Sequence, residues 1–108
     1  MFCDQMFYTG AVQLHFVEGP ASGPPLVLLY GGSARWQTWE PVLRDLATRW
    51  HAYAVDLRGH GHSSWAASYR LQDYATDIAA LLHHRITEPA ILCDHSLGGM
   101  VAVMAAAQ

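Results

Sequence analysis

The chain contains no lysine, few charged residues and only two cysteines. All six of its basic residues are arginine, and nine acidic residues leave a formal net charge of -3 and a pI near 6.1. A surface without a basic excess offers little electrostatic attraction for a phosphate backbone, so we expect no nucleic-acid partner. Two cysteines are also too few for the disulfide framework of a small secreted domain.

Long apolar runs are absent as well. No window approaches the roughly 18 apolar residues that a membrane span requires. The first ten residues, MFCDQMFYTG, have neither the basic segment nor the continuous apolar core of a secretory signal. We therefore expect a cytoplasmic protein without a membrane partner. With 52% hydrophobic and 14% charged residues, the composition is typical of one folded domain with a buried core.

Short apolar runs alternate along the chain with segments of helical periodicity. We predict strands over residues 11–18, 26–30, 51–57 and 90–93. We predict helices through the apolar positions from Trp39 to Trp50, Leu71 to Leu82 and Met100 to Ala107, with Thr38 capping the first and Asp73 near the start of the second. Val42 falls on the core face of the first helix, which has about three turns. This alternation predicts parallel pairing and an α/β fold, a mostly parallel sheet flanked by helices.

The stretch CDHSLGGMVA, residues 93–102, places a serine between a predicted strand and a predicted helix. Gly98 and Gly99 follow it, where bulk would obstruct a sharp turn. A side chain on such a bend stands clear of the carboxyl edge of the sheet, and the N–H groups of the next helix point at whatever the serine attacks. Ser96 is therefore a candidate nucleophile, and the N–H of Leu97 a candidate oxyanion donor. The alternative is an ordinary N-cap serine.

The glycine-rich stretch RGHGHSS has a competing interpretation as a dinucleotide fingerprint. Gly59, Gly61 and Ser64 imitate the Gly-x-Gly-x-x-Gly pattern. That motif must open a helix at once, whereas helical spacing resumes here only near Leu71. We therefore favour a loop that binds no cofactor.

Several histidines raise the question of a metal site. His60 and His62 lie close together, and His83 and His84 follow further along the chain, but no carboxylate or cysteine stands beside them at ligand spacing. We expect no metal. His95 adjoins the candidate nucleophile, but neighbours on a sharp bend point in different directions, so we assign it a structural role.

Three motifs in a fixed order resemble the N-terminal half of an α/β-hydrolase fold protein. YGGS at 30–33 stands where most members carry His-Gly, DLRGHGHS at 56–63 is similar to the family's Asp-x-Arg-Gly-x-Gly-x-Ser loop, and HSLGG at 95–99 is similar to the nucleophile elbow. The resemblance begins near Ala11. It implies that Ser96 is the nucleophile and that the backbone N–H groups of Gly32 and Leu97 form the oxyanion hole.

Two positions depart from the family pattern. Tyr30 replaces a histidine that normally braces its loop, and Asp94 stands where the elbow prefers glycine. An ionised carboxylate about 6 Å from the oxyanion would oppose it by roughly 3 kcal/mol at an effective dielectric near 20, which is about a hundredfold in rate. Asp56 and Arg58 are expected to brace the loop after their strand, with an ion pair within the chain.

The resemblance implies hydrolysis of a small ester, lactone or related carbonyl compound through an acyl-enzyme on Ser96. In the family the acid and histidine of the triad follow the elbow, and a cap inserted after strand six selects the substrate. We therefore expect residues 1–108 to be the N-terminal part of a single core domain that lacks the cap and the C-terminal half. Such a chain would be inactive alone. The alternative is a non-catalytic domain of this fold that binds a ligand or a protein.

Overall fold

The structure is a computed structural model, and it describes residues 2–30, 40–59, 62–86 and 88–93. Within these residues it contains the strands β1 (Cys3–Tyr8), β2 (Gln13–Glu18), β3 (Pro25–Tyr30), β4 (His51–Asp56) and β5 (Ile91–Cys93), and the helices α1 (Glu40–Leu46) and α2 (Leu71–Arg85). The predicted helix at 100–107 and the proposed cap Thr38 lie outside the described residues.

The described strands form one mixed sheet in the order β1-β2-β4-β3-β5. β3 pairs in parallel with both β4 and β5, as the alternation of strands and helices predicts. β2 instead runs antiparallel to β1 and β4. The expectation of parallel pairing was therefore wrong for β2, because the short Pro/Gly connection from residue 19 to 24 contains no helix to carry a crossover. The α/β class is confirmed.

The parallel strands are apolar on both faces because a helix covers each face. On β3, Leu26 and Leu28 pack in the cluster that contains Leu43 of α1. Val27 and Leu29, which point the other way, pack with α2. Side chains alternate along a strand, so a strand buried on both faces appears as a continuous apolar run. That run is what the sequence contains at residues 26–30.

Helix α1 is shorter than predicted and uses a narrower face. It spans seven residues, or about two turns, and Leu43 is fully buried. Val42 is 49% exposed, so its assignment to the core face was wrong. Ala47 continues the buried side of α1 in the turn that follows it.

Helix α2 begins at Leu71 as predicted and continues past Leu82 to Arg85, and its start is fixed by Asp73. The Asp73 carboxylate accepts hydrogen bonds from the Arg70 backbone N–H (3.0 Å) and from the Ser68 hydroxyl. The Arg70 guanidinium, together with these two hydrogen bonds, holds the pKa of Asp73 well below its usual range. A negative charge near the N-terminus of a helix also interacts favourably with the helix dipole. The buried face of α2 then carries Ile78 and Leu81 into the core.

Strand β1 was not predicted from the sequence. It has exposed or half-exposed side chains throughout and pairs only with β2 among the described strands. An edge strand of this kind lacks the apolar run that marks β3 and β4.

Two neighbouring substitutions on α1 test the observed packing. We expect Leu43→Ala to lower the free energy of unfolding by about 2–5 kcal/mol, because it leaves a cavity under a fully buried side chain. Val42→Ala is the matched control and should stay within about 0.5 kcal/mol, since Val42 is half exposed. Urea denaturation measures both. Equal losses of unfolding free energy in the two variants would contradict the assignment of Leu43, and not Val42, to the buried face of α1.

Candidate active site

The predicted nucleophile and oxyanion donors lie outside the described residues. Ser96, Leu97 and Asp94 follow the end of β5, and Gly32 follows the end of β3. His95 and Gly61 also fall outside. The structure therefore describes the strands that lead to these positions and the loop beside them.

β3 and β5 are parallel neighbours, with Leu26 opposite Ile91 and Leu28 opposite Cys93. Neighbouring strands lie about 4.8 Å apart, and parallel strands end at the same edge of the sheet. The chain leaves β3 after Tyr30 and leaves β5 after Cys93. In open α/β sheets this carboxyl edge is where ligands bind.

The loop after β4 begins at the same edge, because Asp56 lies opposite Tyr30 of β3. The Asp56 side chain is fully buried, and its Oδ2 accepts the backbone N–H of His62 at 3.1 Å. The Ser63 hydroxyl donates to the Asp56 carbonyl at 2.6 Å and accepts the backbone N–H of His15 at 2.8 Å. The expected bracing role of Asp56 is confirmed.

Arg58 forms the expected ion pair, and its partner is Asp77 on α2. The guanidinium is bidentate, with Nε to Oδ2 at 2.7 Å and Nη2 to Oδ1 at 2.8 Å. It also donates to the Ser68 carbonyl at 2.9 Å. Both charged side chains are buried, and the bonds to Asp77 raise the pKa of Arg58. The loop is thereby tied to the helix that follows it.

Gly59 allows this loop its tight course. Its φ is +75°, and a Cβ there would lie 2.5 Å from the Tyr69 ring, so a side chain is excluded by both conformation and space. Tyr69 is held in turn by the backbone N–H of Ala66, which donates to its hydroxyl at 2.8 Å. Trp65 lies on the same loop and is 84% exposed.

His15 is the buried group of this region that sequence reasoning missed. Its ring lies between two carboxylates, with Nδ1 2.8 Å from Asp56 Oδ2 and Nε2 2.7 Å from Asp4 Oδ1. Apolar and polar residues alternate in β2, which puts His15 on the side opposite Leu14 and Phe16. Both sides of β2 are in fact buried. A histidine within an apolar run was the available signal.

Among the residues that the structure describes, no group of three or more His, Cys, Asp or Glu side chains is placed to hold a metal ion. Within the same ranges, no helix is both long and apolar enough to cross a membrane.

The described residues form a mixed sheet with a helix on each face and a braced loop at the carboxyl edge of its parallel strands, which defines an α/β core. The family model for the alpha/beta hydrolase fold matches residues 24–108. The chain belongs to this family, as its three motifs suggested.

Several similar proteins are hydrolases by name. The chain is 39% identical over 93 residues to a 2-(acetamidomethylene)succinate hydrolase of Mesorhizobium japonicum, covering 85% of this chain and 34% of that protein. It is 38% identical over 92 residues to a pimeloyl-[acyl-carrier protein] methyl ester esterase of Stenotrophomonas maltophilia, covering 84% and 34%. A crystal structure of E-2-(acetamidomethylene)succinate hydrolase superposes with a TM-score of 0.91 at 36% identity, covering 99% of this chain and 40% of that one. The chain thus spans about a third of the length of these curated relatives.

The Arg58–Asp77 pair yields a stability prediction. Asp77→Asn should lower the free energy of unfolding by about 3 kcal/mol, because it leaves the buried guanidinium without its compensating charge. Asp45→Asn makes the same chemical change on the exposed side of α1 and should have little effect. Chemical denaturation at neutral pH compares the two. A loss no larger than that of the control would contradict the bracing role.

Proposed function

We propose that this protein is a serine hydrolase that cleaves a small ester, lactone or related carbonyl compound through an acyl-enzyme on Ser96. The observation that carries the proposal is the parallel pairing of β3 with β5. Gly32 follows β3 by two residues and Ser96 follows β5 by three, counted from Tyr30 and Cys93. The segments that contain the donor and the nucleophile therefore start from adjacent strands at one edge.

The order of the motifs supports the same assignment. A nucleophile elbow requires a strand that turns directly into a helix, and β5 ends at Cys93, immediately before DHSLGG. We expect the elbow to place the hydroxyl of Ser96 above the edge, with Leu97 at the start of the next helix. The N–H groups of Gly32 and Leu97 then stabilise the oxyanion of the tetrahedral intermediate.

The reaction has two stages. The Ser96 oxygen attacks the carbonyl carbon as a general base takes its proton, and the alkoxide leaves with that proton as the acyl-enzyme forms. Water, deprotonated by the same base, then attacks the acyl carbon and releases the acid and free Ser96. The family order places the base and its orienting acid after the elbow.

The names of two relatives support a carbonyl compound as the substrate. One relative is an esterase by name and another hydrolyses an acetamidomethylene compound, so both act on carbonyl derivatives. Acyl-enzyme chemistry suits such substrates because a carbonyl carbon accepts the serine oxygen. A cytoplasmic location stays a prediction from the N-terminal sequence.

A covalent probe tests the nucleophile. The complete gene product should be labelled by a fluorophosphonate, which phosphonylates an activated serine, and Ser96→Ala should abolish the labelling. Ser22→Ala, on an exposed turn before β3, is the matched control and should label as the unchanged protein does. Mass spectrometry of the labelled peptide locates the adduct.

Labelling that survives Ser96→Ala would refute the nucleophile. A folded product that is never labelled and hydrolyses no ester would favour the alternative, a non-catalytic domain that binds a ligand or a protein.

Asp94 gives a second kinetic prediction. An ionised carboxylate near the oxyanion opposes the charge that develops there, so Asp94→Asn should raise kcat for a simple ester by up to about a hundredfold. Glu88→Gln removes an exposed carboxylate before β5 and should leave kcat unchanged. Steady-state kinetics on an uncharged aryl ester measure both. An unchanged or lower kcat in Asp94→Asn would show that this carboxylate does not oppose the reaction.

A further inference from the structure

The His15 side chain joins three strands through polar contacts. Asp4 lies on the edge strand β1, His15 on β2 and Asp56 at the end of β4. The His15 side chain is 6% exposed, Asp56 is fully buried, and Asp4 is 78% exposed. A continuous line of side-chain contacts therefore runs from the surface to the carboxyl edge of β4.

Both nitrogens of the His15 ring face a carboxylate oxygen. A carboxylate only accepts hydrogen bonds, and a neutral imidazole has a single N–H. Only a ring with a proton on both nitrogens can donate to Asp4 and Asp56 together. The ring of His62 approaches from the loop after β4, edge-on at 5.1 Å between centroids. Asp4, Asp56 and His62 are thus the described titratable groups that face His15.

The loop after β4 depends on the same groups. Asp56 Oδ2 accepts both the His15 ring and the His62 N–H, so the two bonds share one oxygen. The backbone N–H of His15 binds the Ser63 hydroxyl, which binds the Asp56 carbonyl. A shift of the His15 ring therefore moves the acceptor that holds residue 62.

We propose that His15 is a positioning residue that transmits the position of Asp4 on β1 to Asp56 and thus to the loop at the carboxyl edge of β4. The consequence for catalysis rests on the proposed function, since that edge also carries the segments leading to Gly32 and Ser96. The coupling itself is a property of the described fold. Among the described residues, no hydrogen bond or ion pair is found between Asp4 and residues 62–64, whereas His15 contacts both Asp4 and Asp56.

Amide hydrogen exchange in a double-mutant cycle tests the coupling. Asp4→Asn should speed exchange of the His62 N–H by about fivefold, the factor expected for one weakened hydrogen bond. It should leave the amide of Ile78, in the core of α2, unchanged, which separates a local effect from global destabilisation. Asp45→Asn, an equal charge change on α1, should alter neither amide.

His15→Asn supplies the second arm. Its amide can replace the Nδ1 donor to Asp56 but is too short to reach Asp4, so Asp4→Asn should have no further effect on His62 in that background. His15→Gln, which keeps a donor toward Asp4 and loses the one toward Asp56, should uncouple them as well. Either variant completes the cycle if the other does not fold. An Asp4→Asn effect of equal size with and without His15 would overturn the proposal, as would no effect in the unchanged background.

An activity measurement separates a failure of this proposal from a failure of the proposed function. In the complete gene product, Asp4→Asn should lower kcat for an ester with little change in KM, because it displaces the edge and leaves the substrate-binding surface intact. A wild-type product that hydrolyses no ester while the exchange coupling is present would refute the proposed function alone. Exchange coupling that is absent in an active enzyme would refute the role of His15 alone.

Discussion

The parallel pairing of β3 with β5 is the constraint on which the rest of the account depends. It arises because the chain crosses from β3 to β4 through α1 and returns through α2 to the other side of β3. Such crossovers are right-handed, so the two helices fall on opposite faces. The apolar runs in β3 and β4 supply buried side chains to both faces of the sheet. The carboxyl edge is where open α/β sheets bind ligands.

The loop after β4 belongs to this edge and is held by buried polar side chains on both sides. Toward α2, Arg58 and Asp77 form a bidentate pair. Toward β1, His15 joins Asp56 to Asp4. Buried ion pairs stabilise little relative to apolar packing, yet removing one partner is costly, so they favour one geometry over its alternatives. This property suits a loop at the sheet edge where ligands bind in open α/β folds, because it fixes the position of the loop backbone.

Much of this architecture could be predicted from the sequence. The runs at 26–30 and 51–57 and the periodicity from Leu71 specify β3, β4 and α2 because packing on two faces leaves a strong pattern. Val42 was misplaced because a two-turn helix buries a narrower stripe than the longer one predicted. β1 was missed because an edge strand lacks an apolar face, and the role of His15 was missed because its partners come from distant parts of the chain. The motif order identified the family, whereas contacts such as Arg58 with Asp77 required the fold.

The proposed site requires that the Ser96 hydroxyl, on the segment after β5, faces the Gly32 backbone N–H, on the segment after β3. A crystal structure of the complete gene product with a bound phosphonate tests it most directly. We expect a bond from Ser96 Oγ to phosphorus, with the phosphoryl oxygen about 2.7–3.1 Å from the backbone nitrogens of Gly32 and Leu97. An adduct on another residue, or a phosphoryl oxygen that contacts neither nitrogen, would contradict it.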